Sequence, residues 1–479
     1  MRINIYKILL AIALGATAVT GCEKWDEHNA LNDASLSNTL LAQIQSEASL
    51  SKFAELLAKS GYDKVLSSSK TFTVFAPTND ALANLDAGIV SDTAKLNRFI
   101  ENHIALQSQY SAQATTQHRI AFLNGKYANF QGKTIEQATI TAADKQVKNG
   151  VLQIIDKPLP VLANAWQTLE NNAAIPAKQK AYLLSLFRNV FDATNAEQIG
   201  IDPNTGMPVY KPGTDSIRSN LFWQNVYDLR DESKNFSLFV LEDAAWDAEV
   251  AKFLPYTTGS TADSTALFAQ WTVVKDLARD TLYRDADLPD TLLSKFNVKV
   301  PVSKLTIKQT IKTSNGNVYI MTKAEVKPSE KFKQYRVEGE NWRFITAEKR
   351  GNMYVRDRIN TLTGLPFRDV VANGHGTAQF SLGYVINNVP SMKFKAYWVA
   401  ANDNIITVNF TQKVSIGEPT TMLLPYVTVT PNTYSEVYLG EFTMSQYQPS
   451  FTIYLTAANS TAANANLLVC DYIRLEPVF

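Results

Sequence analysis

The spacing of apolar residues changes along this chain and marks out successive regions. An apolar run from Ile8 to Val19 leads into a polar stretch from Glu23 to Asn32. A helical period then begins at Leu50, Phe53, Leu56 and Leu57 and closes at Gly61. Lys70-Thr71-Phe72-Thr73-Val74-Phe75 alternates as a strand that Pro77 stops, and Asn79 is placed to cap a short helix through Ala81 and Leu82. A further helix carries Leu96, Phe99, Ile100, His103 and Ile104 on one face. Asn124-Gly125 and Asn149-Gly150 mark hairpin turns, the second opening a strand from Val151 to Asp156.

A fainter copy of this succession follows. Lys234-Asn235-Phe236-Ser237-Leu238-Phe239 with Glu242-Asp243-Ala244 echoes the strand and helix start about 164 positions earlier, and Asn315-Gly316-Asn317-Val318-Tyr319-Ile320 echoes the Asn-Gly strand about 166 positions earlier. This copy lacks the Ala-Pro-Thr turn and shows no counterpart of His103. It carries an inserted loop from Asp202 to Gly213 and a polar loop from Thr257 to Ala266. From about Ser329 the helical period gives way to short alternations: Phe394, Ala396 and Trp398; Ile406, Val408 and Phe410; Phe451, Ile453 and Leu455. Such strands separated by polar turns predict a β-sandwich that closes on one continuous strand from Leu467 to Pro477.

The 46 basic and 45 acidic residues leave a net charge of +1, which points to neither nucleic acid nor an anionic membrane surface as partner. Two cysteines, Cys22 and Cys470, exclude a disulfide framework once the first is consumed by acylation, as argued below. Four scattered histidines, with no HExxH, CxxC, glycine-rich phosphate loop or Gly-x-Ser-x-Gly, give an enzyme no positive support.

Arg2 and Lys7 ahead of the short apolar run, closed by Val19-Thr20-Gly21-Cys22, have the layout of a bacterial lipoprotein signal. Residues 1–21 would be removed and Cys22 would become the lipidated first residue, held by its acyl chains in a membrane; an uncleaved helix with a buried cysteine is the alternative. Residues 22–32 form a tether whose Glu23-Lys24-Trp25-Asp26-Glu27 resembles the acidic export tag of lipoproteins on the outer face of the Gram-negative outer membrane, against a plain solvated linker.

Thr71–Leu82 and Asn149–Lys157 together resemble the two signature segments of the fasciclin domain. The resemblance implies an α+β fold class, with a fasciclin domain at 33–162, a diverged fasciclin domain at 165–328 and an all-β jelly-roll sandwich at 329–479. The last strand and Tyr335–Glu340 resemble the closing and opening strands of jelly-roll carbohydrate-binding modules.

Asn102, His103 and Ile104 match the Tyr-His region that the fasciclin family associates with adhesion, with Asn102 in place of tyrosine. Their position on the apolar helix face points instead to a buried histidine satisfied by backbone groups. Asp471 alternates onto the face of Val469, Ile473 and Leu475, where a carboxylate needs a cation or several donors. The module resemblance implies a structural calcium there, with Glu338 or Glu340 as partner, against a hydrogen-bonded strand-end aspartate. Trp342, Tyr354, Tyr384, Tyr397, Trp398, Tyr434, Tyr438 and Tyr447 supply aromatics for sugar stacking, most of them expected in the core. Asp-Ser/Thr triplets at Asp92, Asp215, Asp280 and Asp290 resemble O-glycosylation acceptors or helix caps.

The expectation is a non-catalytic lipoprotein anchored in the outer membrane and facing the cell exterior. Its ligand would be a glycan, in capture beside an uptake porin or in adhesion. The alternative is an assembly subunit that binds another envelope or host protein.

Overall fold

A computed structural model describes residues 37–403 and 409–479. Cys22, the leader and tether, and the alternating positions Ile406 and Val408 lie outside the described residues. The chain divides into two compact units. The first runs as far as Gln167 and takes in Arg230–Asn235 and Lys312–Gly316; the second comprises Thr168–Leu229, Phe236–Ile311 and Asn317–Phe479.

In the first unit, strands β1 (Phe72–Pro77), β2 (Ile104–Ala105), β3 (His118–Ala121), β4 (Tyr127–Gln131), β5 (Thr134–Ile135), β6 (Ala138–Val147) and β7 (Gly150–Ile155) form one sheet in the order β2-β1-β7-β6-β5-β4-β3. β1 and β7 are parallel, from Phe72 opposite Gly150 to Pro77 opposite Ile155, and all twelve of their residues are buried. Parallel central strands covered on both faces are mostly apolar, and the two polar residues here, Thr73 and Gln153, are buried and hydrogen-bonded. Gly150, at φ 149°, is required because a Cβ there would stand 1.9 Å from the Phe72 carbonyl oxygen. Helices Ser51–Ser60 and Thr93–Glu101 pack Phe53, Leu56, Leu57, Leu96, Phe99 and Ile100 into a core with Val74, Leu152 and Ile154. Asp92 starts the second helix by accepting from the amides of Ala94 and Lys95.

Strands β8 (Phe187–Phe191), β9 (Gln198–Ile201), β10 (Pro208–Tyr210) and β11 (Ser216–Asn220) pair as β8 with β11 and β9 with β10. The expected inserted loop is therefore built of paired strands. β12 (Phe236–Leu241), β13 (Ala278–Arg279), β14 (Thr291–Leu293), β15 (Lys299–Pro301), β16 (Ile307–Thr313) and β17 (Gly316–Met321) follow, with sheet order β13-β12-β17-β16. This reproduces β2-β1-β7-β6, and the hydrogen bonds repeat with it. The Thr73 hydroxyl bridges the Gln107 carbonyl and the Gln109 amide; Ser237 does the same for Thr281 and Tyr283. Asn149 accepts from the Leu40 amide, and Asn315 from that of Ala165. The Phe75 amide donates to the His103 carbonyl and the Phe239 amide to that of Leu277, so Leu277 occupies the place of the histidine.

The tail holds β18 (Tyr335–Glu338), β19 (Phe344–Ile345), β20 (Met353–Ile359), β21 (Pro366–Ala372), β22 (Ser381–Val389), β23 (Lys393–Val399), β24 (Phe410–Ile416), β25 (Val427–Val429), β26 (Val437–Thr443), β27 (Gln448–Ala457), β28 (Leu468–Cys470) and β29 (Tyr472–Val478). They make a four-stranded sheet (β18-β29-β23-β26), a five-stranded sheet (β19-β22-β27-β24-β25) and a three-stranded sheet (β20-β21-β28). Phe394, Ala396 and Trp398 are buried, as are Leu382, Tyr384, Ile386, Ile453, Leu455 and Ala457. The expected single closing strand is two: β28 pairs with β21, and β29 pairs with β18 and β23. The chain changes sheets at Asp471.

The second unit runs without a break from the repeated motif into the sandwich. A cut between residues 328 and 329 falls inside the helix Pro328–Lys331. Lys331 is fully buried and donates to Asp276 at 2.7 Å, while Asp276 also accepts from Ser294. Ser391 meets Tyr256 and Thr258, and Tyr447 packs on Phe268 at 4.7 Å.

Candidate functional site

The Asn102-His103-Ile104 segment is interior, where the apolar helix face placed the histidine, and does not form an exposed adhesion surface. His103 follows the helix Thr93–Glu101 and is fully buried. Its Nδ1 donates to the Phe99 carbonyl at 2.7 Å, its Nε2 accepts from the Leu159 amide at 2.9 Å, and its ring packs on Phe99 and Phe53. Burial lowers its pKa to about 4, so the ring is neutral and both nitrogens are engaged. Asn102 donates to the Leu159 and Pro160 carbonyls and accepts from Asn124, while Ile104 pairs with Val74. No polar atom of the tripeptide side chains is left for a ligand.

Asp471 is buried at the sheet crossover, and its amide donates to the Val399 carbonyl. Burial, reinforced by the negative charges of Glu338, Asp369 and Glu340, raises its pKa to about 7 even though Arg336 opposes the shift. Gly339 donates its amide to the Asp471 carbonyl at 2.5 Å, which brings the Glu338–Glu340 turn against the crossover. Oε2 of Glu340 is buried without a hydrogen-bond partner. The donors are oxygens, as calcium prefers. Glu338, however, is turned to Arg336 at 2.7 Å, and among the described residues no group of three or more His, Cys, Asp or Glu side chains is gathered to hold a metal. The expected Glu338, Glu340 and Asp471 set is thus close in the fold but not assembled as ligands.

Of the eight tail aromatics, Tyr384, Trp398, Tyr434 and Tyr447 are buried; Trp342 and Tyr397 are partly exposed, and Tyr354 and Tyr438 exposed. The five-stranded sheet adds a feature absent from that expectation. Phe344, 52% exposed on β19, and Tyr454 on β27 flank Gly383 of β22, where a Cβ would lie 2.9 Å from the Tyr454 ring and 3.2 Å from Phe344. Gly383 is itself buried, so the two side chains close over the space a Cβ would need and form one aromatic patch on the sheet surface. No sequence pattern marks it, because it depends on three strands meeting in register.

Two further features escaped sequence reasoning. Asp202-Pro203-Asn204-Thr205-Gly206-Met207-Pro208 and Asn360-Thr361-Leu362-Thr363-Gly364-Leu365-Pro366 form the same hairpin turn. In each, the first side chain accepts from the amide two residues on (2.8 and 2.9 Å), its own amide donates to the carbonyl of Met207 or Leu365, and the glycine amide donates back to its carbonyl. Both turns expose apolar side chains, with Ile201 and Met207 65% exposed and Leu362 70%. Separately, Arg356 and Arg358 enclose Asp369 and Asp403 behind β20 and β21, with Tyr434 donating to Asp403. Every carboxylate oxygen there is engaged, and the cluster is structural. Thr93, Ser216, Thr281 and Thr291 of the Asp-Ser/Thr triplets are all exposed.

Residues 48–161 match the family model described as the fasciclin domain, and this part of the chain is a fasciclin domain. Protein sll1483 of Synechocystis is 29% identical over 170 residues, covering 33% of this chain and 94% of that protein. Similar solved structures include a FAS1 domain pair from the insect cell adhesion molecule fasciclin I (15% identical, 59% of this chain and 99% of that one, TM-score 0.23). They also include carbohydrate-binding module CBM36 in complex with calcium and xylotriose (15% identical, 30% and 99%, TM-score 0.21) and a β-1,3-glucan-binding CBM6 from Bacillus halodurans (13% identical, 30% and 95%, TM-score 0.22).

Proposed function

We propose that this chain is a non-catalytic lipoprotein on the outer face of the outer membrane, anchored through Cys22, whose sandwich captures an extracellular glycan. The observation that carries the glycan reading is the Phe344–Tyr454 aromatic patch on the five-stranded sheet, with Phe344 52% exposed. Their rings would offer C–H stacking surfaces for a pyranose. The fasciclin domain and its internal copy would hold the sandwich away from the membrane and give it a high local concentration. A calcium ion would engage Asp471 and Glu340, with Glu338 leaving Arg336 to complete the set, and would stabilise the sheet crossover.

The test is a glycan-array screen of soluble protein starting at Glu23, with calcium and with chelator, beside Phe344→Ala and Tyr454→Ala variants. Binding lost in both variants supports the reading. Silence from correctly folded protein removes it.

A second reading, assembly with another envelope protein, is favoured by the two apolar hairpin turns. Exposed Ile201, Met207, Leu362 and Leu365 are the side chains a protein partner would cover. Co-purification from detergent extracts that survives free sugar and is lost in Ile201→Ser/Met207→Ser supports it.

A further inference from the structure

We infer that two copies of this chain join edge to edge through β8, with a twofold axis at Val190; this goes beyond both readings above, neither of which uses that edge. β8 to β11 form a ribbon only two strands wide, and from Phe187 to Ser219 no residue is buried. Phe191, Ile199 and Ile217 are 55%, 60% and 50% exposed on it. A two-stranded ribbon without cover is marginally stable in water, and further strands are what it needs.

The backbone of β8 is set up to receive one. The Leu221 amide donates to the Leu186 carbonyl at one end of the β8–β11 ladder, and the Asp192 amide to that of Asp215 at the other. Bonded pairs alternate along an antiparallel ladder, so Arg188 and Val190 bond to β11. Asn189 and Phe191 therefore point their amides and carbonyls the other way. Among the described residues no second strand pairs with β8. Its five residues also contain no proline, lysine or bulge, the devices that commonly blunt an exposed edge.

The side chains along this edge complement a copy of themselves. A new ladder must set outward groups opposite outward groups, which restricts the registers. With the twofold at Val190, Arg188 stands opposite Asp192 of the second copy, and the same contact recurs on the other side of the axis. Between these opposite-charge pairs Val190 meets Val190 of the second copy, and Ile217, beside Val190 on β11, extends the apolar row. The side-chain amide of Asn195 and the turn amides hold the Asp192 carboxyl below its usual range, so it stays ionised. Moving the axis to Asn189 would set Arg188 against Val190, and moving it to Arg188 would set arginine against arginine. Pairing through β11 offers no such match: centred on Arg218 it opposes two arginines, and centred on Ile217 it sets Asp215 against Ser219. Charge thus selects both the strand and the register. A ladder of this length covers less than the roughly 800 Å² per partner of a stable complex, so the association is weak in solution and favoured where copies share a surface.

The test is disulfide capture in soluble full-length protein starting at Glu23, whose one remaining cysteine, Cys470, is buried. Val190→Cys would put two thiols in a non-hydrogen-bonded antiparallel pair with Cα atoms about 4.5 Å apart, within disulfide reach. Thr205→Cys, at the exposed turn of the same ribbon, measures random collision. All variants are first confirmed folded by thermal melting. With diamide as oxidant, Val190→Cys should form the covalent dimer about tenfold faster than Thr205→Cys at equal concentration. Adding Arg188→Glu should remove that advantage, as should Asn189→Pro, which deletes an amide that β11 does not use. Equal rates at the two positions would overturn the inference, and so would an advantage that survives Arg188→Glu. Cross-linking of Val190→Cys in native membranes to a protein of different mass, without self-capture in the purified chain, would give the edge to another partner and overturn the twofold.

Discussion

Replacing Lys331 by methionine tests whether the repeated motif and the sandwich of the second unit are one cooperative structure. Lys331 and Asp276 are 1% and 0% exposed, and their charges meet at 2.7 Å. Asp276 gives its other oxygen to the Ser294 hydroxyl, and Lys331 also donates to the Thr272 carbonyl near the end of the helix Ala262–Val274. Burial pulls the Lys331 ammonium below the usual lysine range, and Asp276 is the main group opposing that shift. Methionine keeps the length of the side chain and its packing against Phe253, but leaves Asp276 as a buried carboxylate without its cation. Breaking one side of such a pair costs about 3–5 kcal/mol, whereas replacing both partners by apolar groups is often close to neutral. For a cooperative unit of about 300 residues, an unfolding entropy of roughly 2.1 cal/mol/K per residue means each kcal/mol moves the midpoint by about 1.6 °C, so Lys331→Met should lower the melting temperature by roughly 5–8 °C. Scanning calorimetry of the full chain is the assay. Asp276→Leu/Lys331→Met should recover most of the loss, and a single transition should move, with the sandwich and the repeat melting together. A change under about 2 °C, or a double variant as unstable as the single, would refute the buried-pair argument. Two separate transitions, with only one shifted, would refute the cooperative unit.

Three further predictions follow from the same style of reasoning. His103→Ala leaves the buried Leu159 amide without its acceptor and a cavity between Phe99 and Phe53, and should cost about 3 kcal/mol in thermal melts; an unchanged midpoint would contradict the interior placement. Because His103 titrates at about 4 in the fold and near 6.5 when unfolded, its stabilising effect is full above pH 6.5 and is lost as pH falls toward 4. Asp471 has the opposite sign: with a folded pKa of about 7 against 3.8, its contribution is full below about pH 4 and is lost as pH rises through 7, so Asp471→Asn should flatten the stability profile between about pH 4 and pH 7. Calcium binding would favour the ionised form and raise the midpoint at pH 8 in the wild type but not in Asp471→Asn; identical profiles for the two proteins would count against both statements. Gly150→Ala drives a methyl into the Phe72 carbonyl and should abolish the β1–β7 pairing, seen as loss of the cooperative transition of the first unit rather than a modest shift.

Periodicity marked the helices around Phe53 and Phe99, the strands at Phe72 and Val151, and their fainter copies, because each is a local pattern that one chain segment carries alone. The Asn-Gly pairs at 149 and 315 were legible for the same reason: the turn needs both residues in sequence, and the fold uses them at equivalent places. The break at Asp471 was hidden, since alternation continues through a strand that leaves one sheet for another and only the partner strands reveal the switch. The patch that Phe344 and Tyr454 form over Gly383 was hidden more completely. Its three residues come from three strands, and an exposed phenylalanine, a strand glycine and a strand tyrosine are each unremarkable until register sets them side by side. Half of the aromatics that sequence could name are core: Trp398 and Tyr384 fill the interior, as do Tyr434 and Tyr447.

The two copies of the fasciclin-type motif have diverged in a way that separates their tasks. Both keep the elements that join the strands, namely the hydroxyl of Thr73 or Ser237 and the asparagine of the Asn-Gly turn. The position of His103 has become Leu277, which removes a buried polar group and with it the need for partners such as the Phe99 carbonyl and the Leu159 amide. If the histidine served recognition, its replacement would have removed a function; as an interior group it could be exchanged for an apolar one with little loss provided its partners changed too. The second copy has instead gained Lys331, Ser391 and Tyr447 as neighbours from the sandwich. The second copy therefore packs against the sheets beside it, where the first is self-contained.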